Sequence, residues 1–453
     1  MSEAKNTAAF AISSGSAKRP SGICFFARDK YECDSMSRLI VKNIGPIKSV
    51  DIELKKVNVF MGPQSCGKST LAKIISFCTW MEKTNAFEEK MAWKDAYKRL
   101  QSYHKLSGSY FNEDSLIYYA GENLTYVYNW KEKEEIPVLY DEYYTEHYIE
   151  KEYFFLSLDK KINPKVIYIP AERNFVSVVP NLRNYAEDND NLLDFIKNWY
   201  DAKRKYPVDH KMKVLNMGIE YYLGDGDTDV LQMENGKKLT LRTASSGLQS
   251  IVPLLLLIDW LSKGIYEEEK PYSYAESEKI TQLLEGLQTG NNRTSDELEE
   301  LKRRLAGFIK GKVYTHTQFI IEEPEQNLFP EAQRDLLFYL LTAINHGRNH
   351  RLVITTHSPY ILYALNNCLM AYAVKNKMSK EEYQELDCKE VVLDSKEVAV
   401  WEIENGMMRA DIHSVNGTIQ DKDGLIRANY FNRIMQGIMS DFNNMLNYCE
   451  EDE

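Results

Sequence analysis

Val57-Asn58-Val59-Phe60-Met61 runs directly into Gly62-Pro63-Gln64-Ser65-Cys66-Gly67-Lys68-Ser69-Thr70, and then into Leu71, Ile74, Ile75 and Cys78 at helical spacing. The order is apolar strand, glycine loop, helix, and the loop fits G-x-x-x-x-G-K-[ST] at every position. Glycines let backbone N–H groups turn inward, and the helix N-terminus behind them adds partial positive charge, so the segment is an anion cradle. In this pattern the nine residues Gly62 to Thr70 wrap the phosphates of a nucleoside triphosphate. The Lys68 ammonium reaches the β- and γ-phosphates, and the Ser69 hydroxyl ligates Mg²⁺. Without the flanking strand and helix the same residues would be a glycine turn that binds nothing. ATP and Mg²⁺ are the expected ligands.

A second motif completes the expected site. Phe319-Ile320-Ile321-Glu322-Glu323-Pro324 is an apolar strand that ends in two carboxylates. A strand buried in a parallel sheet delivers its last residues to the C-terminal edge, where ligands bind. By position, Glu322 is the metal residue and Glu323 the base that orients and deprotonates the attacking water.

Three further stretches bring a family into view: Glu322-Glu323-Pro324-Glu325-Gln326-Asn327-Leu328-Phe329-Pro330, Thr355-Thr356-His357-Ser358-Pro359-Tyr360 and Ala244-Ser245-Ser246-Gly247-Leu248-Gln249-Ser250. Together with the glycine loop, they resemble the ABC-type ATPase heads of the RecF/SMC and OLD-like branch. The nearest group is the OLD-like AAA-type ATPases of bacterial anti-phage systems such as PARIS, Septu and the retron-linked ATPases. The resemblance covers 38–80, 166–175, 239–262 and 315–365. It implies an α/β P-loop NTPase fold of ABC type, with a mostly parallel sheet, an antiparallel N-terminal sheet and helical insertions.

The resemblance also implies roles. Ser245, Ser246 and Gly247 would contact the γ-phosphate of ATP bound to another subunit. His357 would be the switch histidine, and Gln326, Asn327 and Leu328 the loop that couples facing sites. Read alone, Ser-Ser-Gly is a turn and a lone histidine a satisfied core residue; the flanking motifs change that reading. Two departures stand out: Glu322 replaces the aspartate usual in transporter ATPases, and the Q-loop glutamine has no evident counterpart. Glu172 and Arg173 occupy its neighbourhood.

Composition narrows the remaining choices. The chain has 453 residues, and such a length suggests roughly two to three units. Hydrophobic residues make up 43% and charged residues 27%, ordinary for a globular protein. The longest apolar candidate, residues 251–261, is broken by Pro253 and Asp259, short of the ~18 residues of a bilayer span. The seven cysteines show no C-x-x-C pair, which predicts reduced, cytoplasmic residence without membrane contact. A net charge of −11 argues against a globally basic nucleic-acid binder. A local basic face of Lys197, Lys203, Arg204, Lys205, Lys211 and Lys213 keeps DNA open as a partner, although a solvated surface explains the run more simply.

The expected organisation has seven parts. Residues 1–35 read as a disordered leader, or as sequence upstream of a natural start at Met36. The head begins at 36–80, is interrupted by a tyrosine-rich insertion at 81–160, and resumes at 161–263. That middle part reads mostly helical over 176–235, with a strand near Leu239. A helical insertion follows at 264–312, with a capping box at Thr294 and an apolar stripe of Leu298, Leu301, Leu305, Phe308 and Ile309. The head closes at 313–375. A C-terminal segment at 376–453 ends in an amphipathic helix rich in methionine. Asp421-Lys422-Asp423 resembles a metal pair but lacks co-ligands, so it reads as an exposed turn and any nuclease activity belongs to a separate protein.

The expectation is an ATP-hydrolysing head that forms a dimer or higher homo-oligomer. It would control a partner effector such as a Toprim or HNH nuclease in anti-phage defence. The alternative is a RecF/SMC-like DNA-repair ATPase that binds DNA directly.

Overall fold

The computed structural model describes residues 23–27, 37–83, 96–129, 136–140, 144–149, 152–157, 162–179, 182, 190–267, 284, 313–391, 393–409, 417–446 and 448. Its centre is a twelve-stranded sheet. In chain order the strands are β1 (Ser37–Ile44), β2 (Ile47–Leu54), β3 (Val57–Met61), β4 (Leu116–Ala120), β5 (Leu124–Tyr128) and β6 (Tyr144–Ile149). They continue with β7 (Glu152–Ser157), β8 (Pro164–Ile169), β9 (His316–Glu322), β10 (Arg351–Thr356), β11 (Val398–Glu404) and β12 (Met407–Arg409). The main helices are α1 (Lys68–Met81), α2 (Ala96–His104), α3 (Asn191–Lys203), α4 (Ser246–Asp259), α5 (Pro330–Ile344), α6 (Pro359–Val374) and α7 (Tyr430–Leu446).

Spatially the order is β8-β9-β10-β3-β11-β12-β2-β1-β4-β5-β7-β6. The first five of these strands run parallel. From β2 outward through β1, β4, β5, β7 and β6 every neighbour is antiparallel.

Strand alternation explains why both faces are covered. In β3, Val57, Val59 and Met61 enter one core while Phe60 enters the other. The same division recurs in β9, where Phe319 and Ile321 oppose Ile320, and in β10, where Leu352 and Ile354 oppose Val353. Side chains two apart share a face, so near-continuous apolar runs demand helices on both sides. α3, α4, α5 and α6 fill the first side, and α1 and α2 the second.

Three features differ from the sequence reading. β4, β5, β6 and β7 extend the antiparallel wing, so much of the expected insertion at 81–160 belongs to the central sheet. Within the expected leader, Ile23–Ala27 forms a strand paired in parallel with Ile136–Tyr140. The expected helical stretch 176–235 holds α3 and a short helix at Phe175–Val178, but then folds as a four-stranded antiparallel sheet running from Met212 to Thr240. Tyr221 and Leu231 are fully buried there, and the positive-φ residues Gly218, Gly226 and Gly236 turn the chain. Those glycines mark hairpins that helical counting overlooks.

The segment Ser246–Glu267 is continuous and apolar enough to cross a membrane by length and composition, but 72% of its window is buried in the core. The amphipathic stripe expected between Leu298 and Ile309 lies outside the described residues. α7 exposes Met435, Ile438, Met439, Phe442 and Met445, and none of its residues is buried.

Candidate functional site

β3 and β9 flank β10, with Thr355 registered against both Phe60 and Glu322. This pairing brings the glycine loop and the two carboxylates to the same C-terminal sheet edge. The loop conformation needs its glycines: Gly62 has φ 141° and Gly67 has φ 110°. A Cβ at Gly62 would collide with the Ile403 carbonyl oxygen, and one at Gly67 would sit 2.8 Å from Ile47 Cγ1. Ser65 also takes a left-handed conformation, at φ 60°.

Lys68 opens α1 and is buried, with Nζ donating to the carbonyls of Gly62 at 2.9 Å and Pro63 at 2.7 Å. Burial lowers its pKa, opposed by Cys66, Glu323 and Glu325. Around it, Pro63 is half-buried and Cys66 and Thr70 are buried, while Gln64, Ser65 and Ser69 are exposed.

Glu322 is buried at the end of β9, and its Oε1 has no hydrogen-bond partner. Glu323 leaves the strand at φ 43° and donates its N–H to the Thr355 carbonyl at 2.9 Å. Its Oε1 stands 3.5 Å from His357 Nε2. Burial and then the Lys68 charge depress the His357 pKa, which favours a neutral imidazole beside the carboxylate.

Two residues without an assigned role in the sequence reading hold this arrangement. Glu325 Oε1 accepts from Thr356 Oγ1 at 2.8 Å and from the His357 N–H at 2.6 Å, tying the carboxylate turn to the end of β10. Arg173, fully buried, donates to the carbonyls of Glu322 at 3.0 Å, Glu323 at 2.8 Å and Pro324 at 3.0 Å. Burial pulls its pKa down to about 10, against the nearby glutamates. The buried strand before Pro170 was the available signal for Arg173; its neighbour Glu172 is exposed. Ser358 caps α6 by accepting from the N–H groups of Tyr360 and Ile361, and bonds Gln333 of α5.

Ser245 and Ser246 are exposed at the start of α4, and Ser245 makes no side-chain cap bond. A Cβ at Gly247 would lie 2.8 Å from the Asn327 carbonyl oxygen. The α4 N-terminus therefore packs against the loop of Gln326, Asn327 and Leu328. Among the described residues, neither serine bonds to Lys68, Glu323 or His357.

Among the described residues no group of three or more His, Cys, Asp or Glu forms a cage for a metal ion. Mg²⁺ is ordinarily held by one or two protein oxygens with water and substrate phosphates completing its octahedron. The orphaned Glu322 oxygen and the exposed Ser69 hydroxyl fit that demand.

The basic run changes character in three dimensions. Lys203 is buried, 3.3 Å from Asp227 and 3.4 Å from Asp229, with its ammonium also over the Trp199 ring. Lys205 lies over Trp260, Lys211 pairs with Glu220, and Arg204 faces Asp201. Three of the six, Lys203, Arg204 and Lys211, are paired with carboxylates. Asp421 serves a turn, accepting from the N–H groups of Asp423 and Leu425 and pairing with Arg427.

Strand order, glycine loop and carboxylate-ended strand together define a mixed α/β P-loop NTPase fold. Residues 297–362 match the family described as an AAA ATPase domain, a segment that includes Glu322, Glu323 and His357. No curated protein matches the chain. Among solved structures, the SMC head domain from Thermotoga maritima is similar at 12% identity and a TM-score of 0.32, covering 72% of this chain and 90% of that one. An ATP-binding cassette of an ABC transporter is similar at 14% identity and a TM-score of 0.27, covering 83% and 90%. With scores this low, the fold rests on the sheet order and the loop themselves.

Proposed function

We propose that this protein binds ATP with Mg²⁺ and hydrolyses it, and that the site is completed by a second copy of the chain. The observation that carries the reading is the convergence of Lys68, Glu323 and His357 beside Glu322, whose buried Oε1 has no geometric hydrogen-bond partner. Lys68 would bind the phosphates, and Glu322 with Ser69 would hold Mg²⁺, which supplies charge neutralisation at the phosphates when bound. Glu323 would take the proton of the attacking water, while the neutral His357 positions water and γ-phosphate.

The exposed Ser245 and Ser246 support self-association. They present hydroxyl and backbone donors at a helix N-terminus but make no contact with their own chain's catalytic group. Their seat on the Asn327 loop would let a neighbouring site sense the opposing nucleotide. In this reading γ-phosphate contacts favour the closed oligomer and hydrolysis releases it, which gates a separate effector, taken from the motif resemblance as a nuclease in anti-phage defence. The cytoplasm is the compartment this reading requires. The carboxylate-paired Lys203 and Lys211 withdraw support from direct DNA binding through that run.

Glu323→Gln tests the chemistry. The variant is expected to bind ATP undiminished in calorimetry while phosphate release falls by about 10²–10⁴-fold, the usual contribution of a general base. Turnover at the parent rate would remove Glu323 from that role.

A further inference from the structure

A second cavity lies away from the phosphate loop. Its volume is about 150 Å³, and among the described residues its walls come from the C-terminal half of α1, from α2, from the first residues of β8 and from the start of α3. Lys165 and Val166 stand at the N-terminal end of β8, whereas the phosphate loop caps the C-terminal edge of the same sheet. Along α1, Ser76 sits about 12 Å beyond Lys68 at the helical rise. The two sites are therefore distinct.

The lining is chemically polarised. Lys83, Arg99, Lys165 and Lys197 line it together with Asp190 and Asp194. Both carboxylates are already engaged. Asp190 caps α3 through Leu193 N–H at 2.7 Å and pairs with Lys105 at 2.8 Å. Asp194 accepts from Tyr103 Oη at 3.1 Å and from Asn198 Nδ2 at 3.2 Å. Lys165 and Lys197 have no carboxylate partner among the described residues, so the cavity carries unspent positive charge.

Its other surface is aromatic. The Arg99 guanidinium lies 4.0 Å from the centre of the Trp80 ring, and Phe77 and Tyr103 also line the cavity. His104 is buried, lines the cavity, and its Nδ1 lacks any hydrogen-bond partner. A space of roughly 150 Å³ accommodates one benzene-sized ring.

We propose that this cavity binds a small phosphate monoester bearing one flat ring. Lys165 and Lys197 hold the phosphate at the mouth, and the Trp80–Tyr103 wall packs the ring. The site also has a route to the catalytic edge. The His104 ring meets Tyr168 at 4.9 Å between centroids, and Tyr168 is buried beside Glu322.

Calorimetry on the full chain with phenyl phosphate tests the assignment. Phenyl phosphate is expected to bind at least tenfold more tightly than either phenol or inorganic phosphate. A Lys165→Gln/Lys197→Gln double variant should lose at least tenfold in affinity with an unchanged melting midpoint, and each single variant should lose part of that. Binding that is absent, or indifferent to both lysines, overturns the proposal. Loss of binding in Lys68→Ala with full binding in the lysine variants would place the ligand in the phosphate loop and also overturn it.

Discussion

Arg173 shows how much one side chain can decide. Its guanidinium satisfies three consecutive carbonyls of the Glu322-Glu323-Pro324 turn, and it does so fully buried. The planar fork of arginine permits this; a lysine ammonium on a flexible stem cannot reach all three acceptors. Orphaned carbonyls in a dry turn, together with weakened charged hydrogen bonds, should make Arg173→Lys less stable by about 2–4 kcal/mol. Denaturant unfolding measures this, and a stability equal to the parent would contradict the clamp. Phosphate-loop glycines, by contrast, announce themselves. The strand before Pro170 draws attention to Arg173, but not to the turn 149 residues away that it bonds.

At the scale of elements, the junction of α1 with the antiparallel wing depends on Glu82. This carboxyl is fully buried just past the helix end, accepting from Tyr119 Oη at 2.8 Å and the Asn123 N–H at 3.1 Å. Burial pushes its pKa up to about 7 from an ordinary 4.5. Between those two values the folded chain binds more protons than the unfolded chain. Stability from this group is therefore greatest below pH 4.5 and falls as pH rises to 7, by about 3 kcal/mol. Glu82→Gln keeps an acceptor for Tyr119 but cannot ionise. Compared at pH 5 and pH 8, the variant should gain on the parent at the higher pH; parallel pH profiles would show that Glu82 is ionised throughout. This junction was not legible from sequence, because β4 and β5 read as part of an insertion. Their apolar runs carry strand character, but only pairing with β1 reveals which sheet they join.

For the whole molecule, what matters is that two groups of residues stand apart on one chain. Lys68, Glu323 and His357 cluster at the sheet edge, while Ser245 and Ser246 stand exposed on α4. If these groups meet across copies, mixing Lys68→Ala with Ser246→Arg protein should restore turnover. Each variant alone is expected to be inactive, and the mixture to regain up to about a quarter of parent activity in a dimer. That fraction follows from random pairing with one intact composite site in half of the dimers. Phosphate release by the mixture no higher than the sum of the separate variants would exclude a shared site.

The sequence by itself determined the phosphate loop, the carboxylate-ended strand and the parallel core between them. These are local: glycine φ, strand alternation and helix periodicity are written within a dozen neighbouring residues. Tertiary structure decided the rest. It placed β4 to β7 in the central sheet, turned 212–240 into strands, buried Lys203 among carboxylates, and brought Arg173 and Glu325 to the turn that follows β9. Apart from the hairpins of 212–240, which are local, each of these depends on contacts between residues distant in the chain. Their energy comes from burial and from pairing polar groups away from water, which no local pattern records.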